Sequence, residues 1–208
     1  MTSAKDASPI ASNKSSHPLL VLGSESPRRK ALLAQAGIVP DAVLAAGIDE
    51  APRKSELPRI HAERLAAQKA KAVADCWEHD PAFVLAADTV VALGRRILPK
   101  AECDEDVRAC LARLSGRSHQ VITAVALLSP AGALTRRTVL TRVAFRRLDP
   151  GELDAYVESR EGEGKAGGYA IQGRAETFVR RLNGSWSNVV GLPLAETVAL
   201  LRGSGYPC

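Results

Sequence analysis

The chain has 208 residues, of which 46% are hydrophobic, 25% charged and 4% aromatic, and its formal charge is +5. That is enough to bury a core in one sizeable domain, with room for two lobes, built mainly from Ala, Val, Leu and Ile. The sequence has neither the long block of like charges of a nucleic-acid-binding tail nor an apolar run of about 18 residues that could span a membrane. The modest positive excess suits a small polyanion.

Residues 1–18, rich in Ser, Ala, Lys and Asn, lack the apolar centre of a secretory signal and the arginines of a transit peptide. They read as a disordered leader before a single domain over 19–208. Cys76, Cys103, Cys110 and Cys208 form no CxxC pair and have no metal-type spacing with a histidine. They read as free thiols in a reducing compartment, which points to the cytoplasm.

Leu19–Leu22 is a short apolar run and predicts a buried strand. Gly23-Ser24-Glu25-Ser26 breaks it. Pro27 suits a first helical residue, Ser26 its N-cap and Gly37 its stop. A second strand is expected over Ala42–Ala46, then a polar loop from Asp49 to Pro58. Ile60–Trp77 is helical in period, with Ile60, Leu65, Ala66, Ala72 and Val73 on one stripe and Glu63, Arg64, Lys69 and Lys71 elsewhere. Phe83–Ala87 reads as a buried strand ending at Asp88-Thr89. Val90–Leu93 continues it, and Gly94-Arg95 turns into Ile97-Leu98.

Asp104–Leu114 is a helix stopped by Ser115-Gly116. Gln120–Leu128 and Thr138–Phe145 read as two long strands, and Asp149 or Pro150 opens a helix through Val157. Gly162–Gly173 holds five glycines and predicts a loop with short extended pieces. Val179–Leu182 followed by Asn183-Gly184 suggests a hairpin, and Leu194–Leu201 a closing helix. Strands and helices mix without strict alternation, so the expected class is α/β with a mixed sheet and flanking helices.

Chemistry concentrates at a few positions. The turn at Ser24–Arg29 opens a helix, whose free N–H groups attract phosphate. Ser24 and Ser26 add hydroxyls. Arg28 and Arg29 sit at the end of a helix that disfavours cations, and an anionic ligand would offset that. The pattern is no P-loop, and a plain capped helix with solvated arginines reads the same way.

Asp88 ends an apolar run, where a carboxylate needs a buried partner or a function. Asp49-Glu50 is a second acidic position, and together these carboxylates could hold Mg²⁺. Lys69 and Lys100 are candidates for polyphosphate. The glycine-rich segment carrying Lys165 could bring backbone amides to a base or phosphate, and Gln172 could read a base edge.

These motifs, in order, resemble the Maf family of nucleoside triphosphate pyrophosphatases, once described as septum-formation inhibitors. The matching stretches are Ser24–Lys30, Asp49-Glu50, Leu65–Ala70, Ala87–Val91, Lys100, Leu114–His119, Lys165–Gly173 and Gly191–Leu194, across nearly all of 19–201. Pro99-Lys100-Ala101 departs from the family's usual Gly-Lys-Pro, Ala170 replaces a common glycine, and Gly23 stands where Ala is frequent. The resemblance implies a fold like the inosine triphosphatase relatives, with two lobes around a cleft.

It also implies hydrolysis to nucleoside monophosphate and pyrophosphate, in nucleotide-pool cleaning or cell-division control. Asp-Thr and Ile-Gln-Gly look like the branch acting on dTTP and UTP. A sister branch acting on 7-methyl-GTP differs at the positions of Arg28, Thr89 and Gln172. By that similarity these three tune base choice, and Asp88 is the catalytic acid/base candidate.

The expected arrangement is then specific. Glu50 and Asp88 hold Mg²⁺ or Mn²⁺, while Ser24, Arg28, Arg29, Lys69, Thr89, Lys100, Lys165 and Gln172 bind and select substrate. The rival readings are a 7-methyl-GTP pyrophosphatase, a non-catalytic regulator of septum formation and a nucleic-acid-binding module. The expected partner is a nucleoside triphosphate, without nucleic acid or membrane; a homodimer is a family expectation.

Overall fold

The computed structural model describes residues 17–208. The leader expected at 1–18 falls mostly on residues 1–16, which lie outside the described residues.

Strand β1 (Leu19–Gly23) leads into helix α1 (Pro27–Gln35). Pro27 takes the first helical turn as expected. Ser26 sits at the N-cap position, but its side chain accepts no capping bond; its backbone N–H instead donates to Ser24 Oγ at 3.3 Å. Gly37, at φ +72°, ends the helix. Strand β2 (Ala42–Val43) is shorter than the expected Ala42–Ala46. One more backbone bond, Leu44 N to Leu22 O, extends its contact with β1 before the chain leaves the sheet.

Helix α2 (Pro58–Asp75) differs from its expected pattern. Its buried stripe is Ala62, Leu65, Ala66, Lys69, Ala70 and Val73, whereas Ile60 is exposed. Lys69 therefore belongs to the stripe and not outside it. The small alanines let α2 press against Ala86, Ala124 and Ala126 of the sheet. A lysine fits such a face only with an acidic partner, and the sheet supplies one.

Strand β3 (Ala82–Leu93) is continuous, so Asp88 lies in mid-strand rather than at a strand end. Gly94, at φ +62°, turns the chain into β4 (Arg96–Leu98), which pairs antiparallel with β3. A short β5 (Lys100–Ala101) precedes α3 (Asp104–Leu114). Strands β6 (Ser118–Leu128) and β7 (Leu134–Phe145) form a long hairpin. Helix α4 (Pro150–Glu158) opens on a capping box between Asp149 and Glu152.

Within the glycine-rich stretch, β8 (Lys165–Ala166) pairs with β5 as a separate two-stranded sheet. A 3₁₀ turn (Arg174–Phe178) leads to β9 (Val179–Asn183), on the far side of β7. Asn183-Gly184 makes no hairpin. Gly184 lies against Thr141, and the chain runs straight into the short helix α5 (Trp186–Val190), which the sequence pattern does not signal. Helix α6 (Leu194–Gly203) follows.

The main sheet has the order β2-β1-β3-β6-β7-β9, parallel on the β2-β1-β3 side and antiparallel beyond. It is the mixed α/β sheet expected. One buried cluster runs from Leu22 and Leu33 through Leu85 and Val125 to Val107 and Tyr156, so the small sheet with α3 and α4 shares the core of the large one.

Sheet pairing leaves one gap. On one edge, β3 pairs with β1 up to Ala86 and with β4 from Val91 onward. Between those points the edge is free, at the carboxyl ends of β1 and β2. Open α/β sheets place ligands at such ends.

Candidate active site

The gap opens into a cavity of about 670 Å³, within the range of small-molecule sites. Its walls are the β1–α1 turn, the loop after β2, α2 at Lys69, β3 at Asp88-Thr89, the small sheet with the glycine-rich segment, and α5. Ser24, Arg28, Arg29, Glu50, Lys69, Asp88, Thr89, Lys100, Lys165 and Gln172 all line it. Asp49 does not; its carboxylate accepts a bond from Ala51 N in its own exposed loop. Val189 of α5 also lines it, at a position that no sequence pattern signals, as do Tyr169 and Gly191, which lie in the matching stretches without an assigned role.

Successive strand residues face opposite sides of a sheet, so Asp88 and Thr89 reach the cavity from different layers. Asp88 points to α2. Its Oδ1 accepts from Lys69 Nζ at 2.7 Å, and Oδ2 takes no hydrogen bond from the described residues. The same ammonium lies 2.6 Å from Glu50 Oε1, and Lys100 pairs with Glu50 Oε2. Two carboxylates thus converge on one buried cation. Burial opposes ionisation of Glu50, but hydrogen bonds and charge from Lys100 and Lys69 outweigh it and hold the carboxyl at about 2.

Thr89 points to the other layer, where Arg29 lies. Arg29 Nε donates to Gly191 O (2.9 Å), Nη1 to Ser24 Oγ (2.9 Å) and Nη2 to Thr89 Oγ1 (3.2 Å). Part of its fork remains free to bind an anion. Burial lowers the Arg29 pKa, partly offset by the Asp88 charge. Ser24 Oγ already accepts from Arg29 and from Ser26 N, so its own proton is left to donate outward.

Arg28 contrasts with its neighbour. Among the described residues it has no side-chain hydrogen bond or ion pair, and burial lowers its pKa. Lys165 shares that condition: burial first, then the Arg28 charge, lowers its pKa. Its ammonium donates to the Glu163 carbonyl at 2.8 Å and has no other hydrogen bond among the described residues. Cations that form no ion pair with a carboxylate among the described residues suit a polyanionic ligand.

The donors suit a hard divalent cation in part. Glu50 and Asp88 are both oxygen ligands already gathered on one positive charge. Among the described residues no cluster of three or more potential ligands exists. Mg²⁺ commonly uses one or two carboxylates and completes its shell with phosphate and water.

Beside the site lies a smaller cavity of about 280 Å³, sharing Glu50, Asp88, Thr89 and Lys100 with the first. His61 reaches its wall. Its Nδ1 contacts Glu56 Oε2 at 2.9 Å, and Arg64 binds both oxygens of the same carboxylate. This network braces the loop that presents Glu50.

The family model described as "Maf: Maf-like protein" matches residues 19–204. A relative from Rhodopseudomonas palustris (strain HaA2), named dTTP/UTP pyrophosphatase, is 56% identical over 194 residues, covering 91% of this chain and 94% of its own. Relatives of the same name occur in Rhodospirillum rubrum, 58% identical with 95% and 93% covered, and in Caulobacter vibrioides, 57% identical with 91% and 97% covered. Among solved structures, the Staphylococcus aureus Ham1 protein is similar at a TM-score of 0.50 and 16% identity, covering 88% of this chain and 98% of that one. At that identity the likeness is one of fold.

Proposed function

The chain belongs to the Maf family, and on that premise we propose that it is a nucleoside triphosphate pyrophosphatase. Its substrates are dTTP and UTP, as the names of its relatives suggest. The carrying observation is the cavity in which, among the described residues, Arg28 and Lys165 form no ion pair with a carboxylate, while Asp88 is held through Oδ1 by Lys69 and its Oδ2 takes no hydrogen bond.

Water attacks the α-phosphorus, the bond from that phosphorus to the bridging oxygen breaks, and pyrophosphate leaves. Asp88 orients the water through Oδ2 and accepts its proton. Lys69 fixes Asp88 in the required position. Arg28, Arg29, Lys100 and Lys165 take up the negative charge that moves onto pyrophosphate, and Ser24 donates its hydroxyl proton to a phosphate oxygen. Glu50 and Asp88 would hold Mg²⁺ or Mn²⁺, which when bound neutralises phosphate charge and polarises the reacting phosphorus. Gln172 stands exposed at the cavity rim, where its amide can pair with a base edge. Together with Arg28 and Thr89 it selects the base.

A pyrophosphate-release assay with dTTP, UTP, CTP and 7-methyl-GTP, with and without added Mg²⁺ or Mn²⁺, tests the proposal. Metal-dependent turnover of dTTP and UTP supports it. Preference for 7-methyl-GTP would move the chain to the sister activity, and no turnover of any would remove the enzymatic assignment.

A further inference from the structure

Behind Arg29 runs a chain of hydroxyls whose directions follow from its two ends. Thr89 Oγ1 lies 3.0 Å from Thr123 Oγ1, and Thr123 Oγ1 lies 3.0 Å from the carbonyl oxygen of Asn188. A guanidinium only donates and a carbonyl only accepts. Thr123 therefore spends its proton on Asn188 O and must accept from Thr89. The other acceptor near Thr89, Gly191 O, is 3.5 Å away, beyond a good O–H···O bond. Thr89 thus donates inward to Thr123 and presents only a lone pair to Arg29 Nη2.

Thr123 is fully buried on β6, opposite Thr89 in the strand register, and does not line the cavity. Its acceptor is itself anchored. Asn188 Nδ2 donates to Val121 O and to Thr141 Oγ1, and the Asn188 backbone N–H donates to Ser185 Oγ. The helix carrying Asn188 ends at Gly191, whose carbonyl takes Arg29 Nε.

We propose that Thr123 is a positioning residue: its hydroxyl orients that of Thr89 and so sets the plane in which Arg29 presents its free donors to the triphosphate. The kinetic part of this inference rests on the pyrophosphatase activity; the orientation of Arg29 does not.

The test compares Thr123→Val, which removes the hydroxyl at nearly constant volume, with Thr123→Ser, which keeps it. In T123V the freed Thr89 hydroxyl turns away and Arg29 loses one anchor. The KM for dTTP is expected to rise about ten-fold, and T123S to stay near the wild type. Independently of turnover, the Arg29 guanidinium NMR signals, identified by their loss in Arg29→Lys, are expected to be resolved in the wild type and T123S and averaged by faster rotation in T123V. Wild-type KM or wild-type Arg29 signals in T123V would overturn the proposal, as would equal damage in T123S, which would trace the effect to packing. A wild type that turns over no triphosphate would remove the activity assignment, and the NMR arm would then decide the positioning role alone.

Discussion

Lys69 Nζ lies 2.7 Å from Asp88 Oδ1, and both residues are more than nine-tenths buried. Removing one member of such a pair strands a charge in the core. Lys69→Met is expected to destabilise the fold by about 3 kcal/mol in denaturant unfolding. The double variant K69M/D88N should lose less than the sum of the two single losses. Asp88→Asn alone should fold, since Lys69 keeps Glu50, yet lose orders of magnitude in kcat. Near-normal turnover in D88N would exclude Asp88 as the proton acceptor.

The two neighbouring arginines should separate stability from binding. Arg28 has no partner among the described residues, so Arg28→Ala should leave the melting temperature unchanged or raised while KM increases about ten- to hundred-fold. Arg29→Ala strips partners from Ser24, Thr89 and Gly191 O. It should cost about 1–3 kcal/mol of stability as well as activity.

Below pH 4.5, acid sensitivity should come largely from Glu56. Hydrogen bonds from Arg64 pull its pKa well below the ordinary 4.5, against an opposing effect of burial. A carboxyl with a depressed folded pKa stabilises above its unfolded value and loses that contribution as pH falls toward the folded one. Unfolding free energy should therefore drop below pH 4.5. Glu56→Gln should be less stable at pH 7 and show a flatter decline. Glu50, held at about 2, acts in the window from 4.5 to 2, but its contribution is weaker, because its side chain is 35% exposed and solvent screens its charge.

His119 should act at higher pH. It is buried against Tyr169, whose hydroxyl lies 2.7 Å from its Nε2, and burial lowers its pKa from 6.5 to about 4. The unfolded chain takes up a proton in that interval and the folded one does not. Stability should fall by roughly 3 kcal/mol as pH drops from 6.5 to 4. His119→Gln, which cannot titrate, should abolish that slope in pH-dependent chemical denaturation. An unchanged slope would exclude His119 as its source.

Gly167 should tolerate no side chain. Its φ is +70°, and a Cβ would sit 2.8 Å from Val91 Cγ1. Gly167→Ala combines backbone strain with a clash against β3. It should lower the melting temperature and raise KM, because the displaced segment carries Lys165. Wild-type values of both would show that the segment can shift without loss.

Local signals in the chain were strong wherever one residue decides a conformation. Pro27 starting α1, Gly94 turning β3 into β4 and the opening of α4 at Asp149-Pro150 were readable because each acts through its own dihedral or its nearest N–H groups. Failures came where a distant partner decides. Asn183-Gly184 resembles a hairpin turn, yet Thr141 and the β6–β7 surface draw the next residues into α5. Lys69 resembles a solvated lysine, yet Asp88, on another element, lets it occupy the apolar stripe of α2.

The candidate site divides in the same way. The inventory was legible in the chain: residue types, their order and their resemblance to one family named ten side chains, and all ten line one cavity. Their partners were not. Folding alone joins Lys69 to Asp88 and Glu50, ties Arg29 to Thr89 and Gly191 while leaving Arg28 without a partner among the described residues, and sets Thr123 behind them. The difference is one of range: propensity and capping act within a few residues, whereas ion pairs and buried hydroxyl chains exist only after the sheet has brought β3, β6 and α2 together.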